Sequence, residues 1–130
     1  MAGNTQTVRD IYAAFAEGRI ADILATLGDD VTFIQPGGAD IPWSGTWKGP
    51  AGVGDFFARL AAVADTRRFE PEQYLESGET VVALGQWAAI ARATGKPFAS
   101  SWAMTWKFKD GKVDFYEALE DTSVIAKAFR

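Results

Sequence analysis

A single carboxylate set among indoles is the pattern in this chain with the clearest chemical content. Asp110-Gly111 has the form of a two-residue hairpin turn, a sequence that tolerates the positive φ such turns require. Counting outward from it pairs Lys109 with Lys112, Phe108 with Val113, Trp106 with Phe115, Met104 with Glu117 and Trp102 with Leu119. Strand side chains alternate between faces, so these residues are expected to share one face, an apolar one in which Glu117 is the lone acid. Taking a carboxyl out of water disfavours its charged form and raises its pKa, and a raised carboxyl is a usual means of moving protons near neutral pH. The competing reading is a Glu117 that reaches the rim of a pocket, or pairs with a Lys or Arg, as a solvated carboxylate.

Other chemistries lack their residues. The chain contains no His and no Cys, which removes disulfides, thiolate and imidazole metal sites, a Cys nucleophile and every His-assisted triad. Acid–base work is left to a carboxylate, Tyr, Lys or water. Gly-rich phosphate loops and clustered metal ligands are also missing, so neither a metal nor an organic cofactor is expected. Gln35 closes a β-rich run just before Pro36, where it orients a ligand carbonyl or a water, or else satisfies the backbone of the following loop. Five Trp in 130 residues is more aromatic bulk than a small core needs and favours a lined pocket. The expected lining is Trp43, Phe57, Tyr74, Trp87, Trp102, Met104 and Trp106, with plain core packing as the alternative for the indoles.

The elements that must position these residues follow from periodicity. Val8, Ile11, Tyr12 and Phe15, then Ile20, Ile23, Leu24 and Leu27, recur at helical spacing, as two helices broken at Glu17-Gly18-Arg19. Val31–Gln35 reads as a first strand, 39–50 as a Gly- and Pro-rich loop, and 51–64 as a third helix with Val53, Phe56, Phe57 and Leu60 on one stripe. Four strands follow, over 69–76, 80–93, 98–109 and 112–119, with a turn at Ser77-Gly78. A short helix over 123–129 is expected to be capped by Asp121 or Thr122. Across the less regular turn at 94–97, Trp87 falls near Met104 and Tyr74 near Val81. The other face of the long strands is also apolar, with Val82, Leu84, Ala88 and Ile90, and is expected to pair two copies of the chain as a homodimer.

Hydrophobic residues make up 48% and charged residues 23% of the chain, within the ordinary globular range, and one domain over 1–130 is expected. A net charge of −4 argues against a nucleic-acid partner, which would require a basic face. No apolar run reaches the ~20 residues of a membrane span, and the N-terminus lacks a secretory pattern, so a cytoplasmic location is expected.

The order helix–helix–strand–loop–helix–four strands resembles the nuclear transport factor 2-like superfamily, and within it the SnoaL-like and ketosteroid isomerase-related proteins. Local echoes are Ile11-Tyr12 through Gly18, Asp29-Asp30-Val31 opening the first strand, Trp47-Lys48-Gly49-Pro50 leading into Phe56-Phe57, and Asp110-Gly111-Lys112 before the last strand. The resemblance implies a cone-shaped α+β fold, a strongly curved antiparallel sheet closing with N-terminal helices around a pocket. It also aligns Tyr12 with the oxyanion-binding Tyr of ketosteroid isomerases. The same alignment places Gln35 where the family has its base and Met104 where it has its second oxyanion donor, so steroid isomerisation is not expected. SnoaL-type cyclases carry an acid on the last strand, matched here by the stretch containing Glu117. Two functions therefore stand: a cofactor-independent isomerase, cyclase or lyase for a small apolar carbonyl compound, with Glu117 moving the proton and Tyr12 or Gln35 steadying oxygen; or a ligand-binding or assembly module without catalysis.

Overall fold

The helical spacing of Val8, Ile11 and Tyr12 becomes α1 (Asn4–Ala16), which buries all three, in the computed structural model, which describes residues 3–130. Gly18, at a φ of 72°, takes the left-handed turn that ends α1 and lets α2 (Ile20–Leu24) pack back against it. β1 (Leu27–Gln35) begins earlier than the sequence suggests, because Leu27 already bonds to the last strand. The segment expected to be a plain loop contains a short strand, β2 (Gly45–Lys48), antiparallel to β1. Four residues bounded by Gly and Pro are too few to show strand periodicity. α3 (Gly49–Val63) follows with Pro50 in its first turn and turns Val53 and Phe56 inward.

The remaining strands are β3 (Ala64–Ser77), β4 (Thr80–Ala91), β5 (Pro97–Lys109) and β6 (Lys112–Glu120), and α4 (Thr122–Ala128) ends the order. They form a six-stranded sheet in the order β2-β1-β6-β5-β4-β3. It is antiparallel except that β1 runs parallel to β6, a pairing that joins the first and last strands and closes the fold around the helices. Extra residues interrupt β3 between Thr66 and Arg68 and between Pro71 and Gln73; such bulges bend a strand and strengthen its twist. β3 thus curls over the helices and the sheet becomes a curved wall, the α+β architecture expected from the element order.

Register decides what faces the helices. Burial alternates along β4 and β5, with Val81, Ala83, Trp87, Ala89 and then Phe98, Trp102, Met104, Trp106, Phe108 inward. Trp87 lies opposite Ser100, not near Met104, and Tyr74 opposite Ala83, not Val81, because the turn before β4 is Gly78-Glu79 and the one before β5 is longer than two residues. Gly85 is required on the inner face. A Cβ there would collide with the Glu70 carbonyl oxygen and the Trp102 ring, and its absence lets that indole lie on the strand and stack on Phe69 at 5.0 Å and 14°. On the outer face, Val82, Leu84 and Ile90 are half-buried and Leu119 is exposed.

α4 is capped as its sequence suggests: the Asp121 carboxylate accepts a hydrogen bond from the Val124 N–H. Phe129, just beyond it, packs against Trp43 and Phe98. No helix among the described residues is long and apolar enough to cross a membrane.

Candidate functional site

β6 does not keep the plain hairpin register. Phe108 pairs with Val113, but Lys107 pairs with Phe115, so Asp114 is an extra residue with no partner of its own. A one-residue insertion moves every later side chain to the opposite face. Tyr116, Ala118 and Glu120 therefore turn inward, opposite Trp106, Met104 and Trp102, while Phe115, Glu117 and Leu119 turn outward. Glu117, expected inside, lies on the outer face beside Ile34 of β1 and Thr105 of β5, which removes it from the proposed chemistry. Glu120 takes the inner position.

The helices and the inner face of the sheet enclose a cavity lined by Ile11, Tyr12, Phe15 and Ile23 from α1 and α2, by Phe33 and Gln35 from β1, and by Trp43. Phe56, Phe57 and Leu60 of α3 complete it with Phe69, Trp87, Met104, Trp106, Tyr116 and Glu120. The cavity volume is about 50 Å³. The free space is small and its lining is mostly aromatic. Of the residues expected to line it, Trp43, Phe57, Trp87, Met104 and Trp106 do so. Trp102 and Tyr74 do not: Trp102 is buried between Gly85 and Phe69, and Tyr74 stands in a groove between α1 and β3 under the Arg9 guanidinium, 4.1 Å from its ring centre.

Glu120 is the sole carboxylate among the described lining residues, and no Lys or Arg lines the cavity with it. The residue keeps some contact with solvent and also borders a cleft on the outer side of the sheet. Its carboxyl has no hydrogen-bond or ionic partner among the described residues, and burial alone pushes its pKa up from 4.5 to about 7. It is therefore close to half-ionised at neutral pH, where an acid–base group works best. The sequence contains it in plain view; only the bulge hides it.

Two phenols face the same space. The Tyr12 hydroxyl accepts a hydrogen bond from Trp106 Nε1 at 2.9 Å and donates to the Met104 thioether sulfur at 3.3 Å. The Tyr116 hydroxyl accepts one from Gln35 Nε2 at 3.2 Å. Burial raises both phenol pKa values above the ordinary range, outweighing the opposing pull of those donors, so both remain O–H groups. Of the expected catalytic trio, the fold thus brings Tyr12 and Gln35 to the cavity and leaves Glu117 outside. Tyr116, which a hairpin without the bulge would turn outward, joins them for the same reason as Glu120. No three acidic side chains among the described residues converge as a metal site would require.

Comparison with known proteins agrees with the fold. The family model described as a SnoaL-like domain matches residues 8–116. Patulin synthesis protein F of Aspergillus clavatus is 30% identical over 92 residues, covering 68% of this chain and 46% of that protein, so the chain spans about half its relative's length. An NTF2-like protein of Burkholderia thailandensis superposes with a TM-score of 0.92 at 27% identity, over 100% of this chain and 99% of that one. TerC, co-crystallised with polyporic acid, superposes with a TM-score of 0.84 at 27% identity, over 97% of each chain.

Proposed function

Because the chain belongs to the SnoaL-like domain family, we propose that its cavity takes a flat, apolar carbonyl compound and that Glu120 moves a proton on it without a cofactor. The reaction class is an isomerisation, cyclisation or dehydration that begins at an acidic C–H. The observation that carries the reading is Glu120 itself, a carboxyl without a partner in an aromatic slot, its pKa raised to about 7. A fold tolerates such a group at a cost to stability, and groups of this kind concentrate at functional sites.

In this reading the carboxylate removes a proton from the carbon beside the carbonyl, and the electron pair of that C–H bond moves onto the carbonyl oxygen as an enolate. The Tyr12 hydroxyl is free to steady that oxygen, since its proton rests on a thioether, a weak acceptor easily exchanged for a better one. The protonated Glu120 then returns its proton to the same or another atom of the ligand. The aromatic lining favours a flat, unsaturated molecule, and its lack of cations a neutral one. Kinship supports small organic molecules as the ligand class: one relative is named for patulin synthesis, and a structural neighbour was co-crystallised with polyporic acid.

The small volume of the cavity, about 50 Å³, favours a second reading, a module that holds a ligand without turnover. The two separate in one experiment. 2-Tetralone, a flat ketone with acidic α-protons, is incubated with the protein in deuterium oxide and followed by proton NMR. Exchange faster than in buffer, with a rate that rises through about pH 7 as Glu120 ionises, is the expected result. No acceleration at any pH leaves the binding module as the function.

A further inference from the structure

The groove between α1 and β3 meets the cavity at two rings. Tyr12 and Phe69 line both spaces with their ring centres 5.6 Å apart, so these side chains are the wall between the cavity and an open groove of about 640 Å³. The strand side of that wall is interrupted on both flanks, since β3 is bulged between Thr66 and Arg68 and again between Pro71 and Gln73. A bulge disrupts the ladder locally, which makes residues 68–71, the stretch that carries Phe69, the part of the wall best able to give way. At about 50 Å³ the cavity is below the roughly 300 Å³ at which ligand pockets begin, and a bicyclic ring enters it only when a wall moves.

Charge is disposed unevenly across this wall. Among the described residues no Lys or Arg lines the cavity, whereas the groove has Arg9, whose guanidinium lies over the Tyr74 ring at 4.1 Å. Arg9 has no hydrogen-bond or ionic partner among the described residues. Asp10 beside it accepts from Gln6, and Glu72, the acid that lines the groove, accepts from Gln86. The Tyr74 ring lies in turn 6.2 Å from that of Tyr12. Two short steps, from Tyr12 to Tyr74 and from Tyr74 to the guanidinium, therefore connect the cavity wall to a planar cation. Its fork of N–H donors matches a carboxylate.

We infer that this groove is the mouth of the cavity and an anion subsite, and that the ligand is a flat ring system carrying a carboxylate. The ring passes between Phe69 and Tyr12 into the cavity, and the carboxylate stays outside on Arg9. This rests on the cavity being the ligand site proposed above and names the class of compound that the site takes. A neutral ring suits an interior without cations, and an acidic substituent held at the mouth carries no charge past Glu120. Arg9 is exposed, so its contribution is modest and weakened by salt.

Two fluorescent ligands with the same ring, 2-naphthol and 6-hydroxy-2-naphthoic acid, test the subsite without turnover. Fluorescence titration at pH 7 and low salt is expected to give tighter binding of the acid by about three- to tenfold, the range for an ion pair at a partly shielded surface. That preference is expected to shrink in about 0.5 M salt and to vanish in Arg9→Gln, while Arg9→Lys keeps part of it, because a point charge lacks the fork. Ala13→Trp, on the α1 side of the groove, is expected to slow association and dissociation of 2-naphthol by a similar factor in stopped-flow mixing, the mark of an obstructed path. Equal affinity for the two ligands, binding of neither, or a preference that survives Arg9→Gln would overturn the subsite. Wild-type association in Ala13→Trp would overturn the groove as the mouth. An Arg9-dependent preference in a protein that does not exchange 2-tetralone upholds the subsite and removes the proton-transfer reading, and exchange without the preference does the reverse.

Discussion

Replacing Glu120 by Gln is expected to slow the α-proton exchange of 2-tetralone by between about 10²- and 10⁴-fold, the range that a positioned acid–base group contributes. Gln keeps the size and planarity of the side chain and removes its ability to accept a proton. The contrasting variant is Glu117→Gln, three residues away and on the outer face, which should exchange at the wild-type rate. The hairpin count singles out Glu117 and passes over Glu120, and the phase of β6 reverses them. Equal loss in both variants, or in neither, would mean that the inward phase of β6 does not select the acid.

The same substitution should strengthen the fold at alkaline pH. Native Glu120 keeps its proton up to about pH 7, whereas the unfolded chain releases it near the ordinary value of 4.5. Between those limits the native state binds more protons than the unfolded state, so this group makes stability fall as pH rises. Below about pH 4.5 it costs nothing, and above about pH 7 the whole cost is present. At about 1.4 kcal/mol for each tenfold change in proton affinity, that cost is at most about 3.5 kcal/mol, and its residual contact with solvent and the amide's own desolvation reduce what Gln recovers. Glu120→Gln is therefore expected to unfold at higher urea concentration than wild type at pH 8, by about 1–3 kcal/mol, and at nearly the same concentration at pH 4. A stability difference that does not vary between those pH values would show that the carboxyl is not desolvated in the native protein.

A gain in stability joined to a loss of activity is the signature of a group retained for function. It also separates Glu120 from a merely structural acid such as Asp121, whose carboxylate caps α4 and is held below the ordinary range by its bonds to Ser123 and the Val124 N–H. Neighbours in sequence, the two acids are driven in opposite directions by their surroundings.

The fold was legible because its signals are redundant. Helical spacing through Tyr12, the Gly18 break, the Asp110-Gly111 turn and the alternation of β4 and β5 each point to the same architecture, and an error in one is corrected by the others. The site was legible in part. Tyr12, Gln35 and Trp106 reach the cavity because they lie on elements whose phase the periodicity fixes, and Trp43 reaches it from the loop before β2. The final strand is different, since Val113-Asp114-Phe115-Tyr116 offers apolar residues in both phases. With no bulge the inner set is Phe115, Glu117 and Leu119; with Asp114 inserted it is Tyr116, Ala118 and Glu120. The first set is the more apolar, so hydrophobic pattern alone selects it, and Leu119 is left 59% exposed when the other prevails. Pairing with β1 decides the matter, because Phe33 and Tyr116 lie side by side with ring centres 4.4 Å apart. That contact spans 83 residues of sequence and leaves no local trace. Trp102 and Tyr74 were misplaced for a smaller reason: both lie on the expected face, but Gly85 and the curl of β3 draw them behind the cavity wall.

Partial burial beside the aromatic cavity raises the Glu120 pKa, and the titration of this carboxyl can be observed directly. In protein labelled with ¹³C at glutamate side-chain carboxyls, with Glu120→Gln used to assign the resonance, the Glu120 signal is expected to titrate with a midpoint of about 7, apart from the other glutamates. A Glu120 midpoint in the ordinary range near 4.5 would contradict the account.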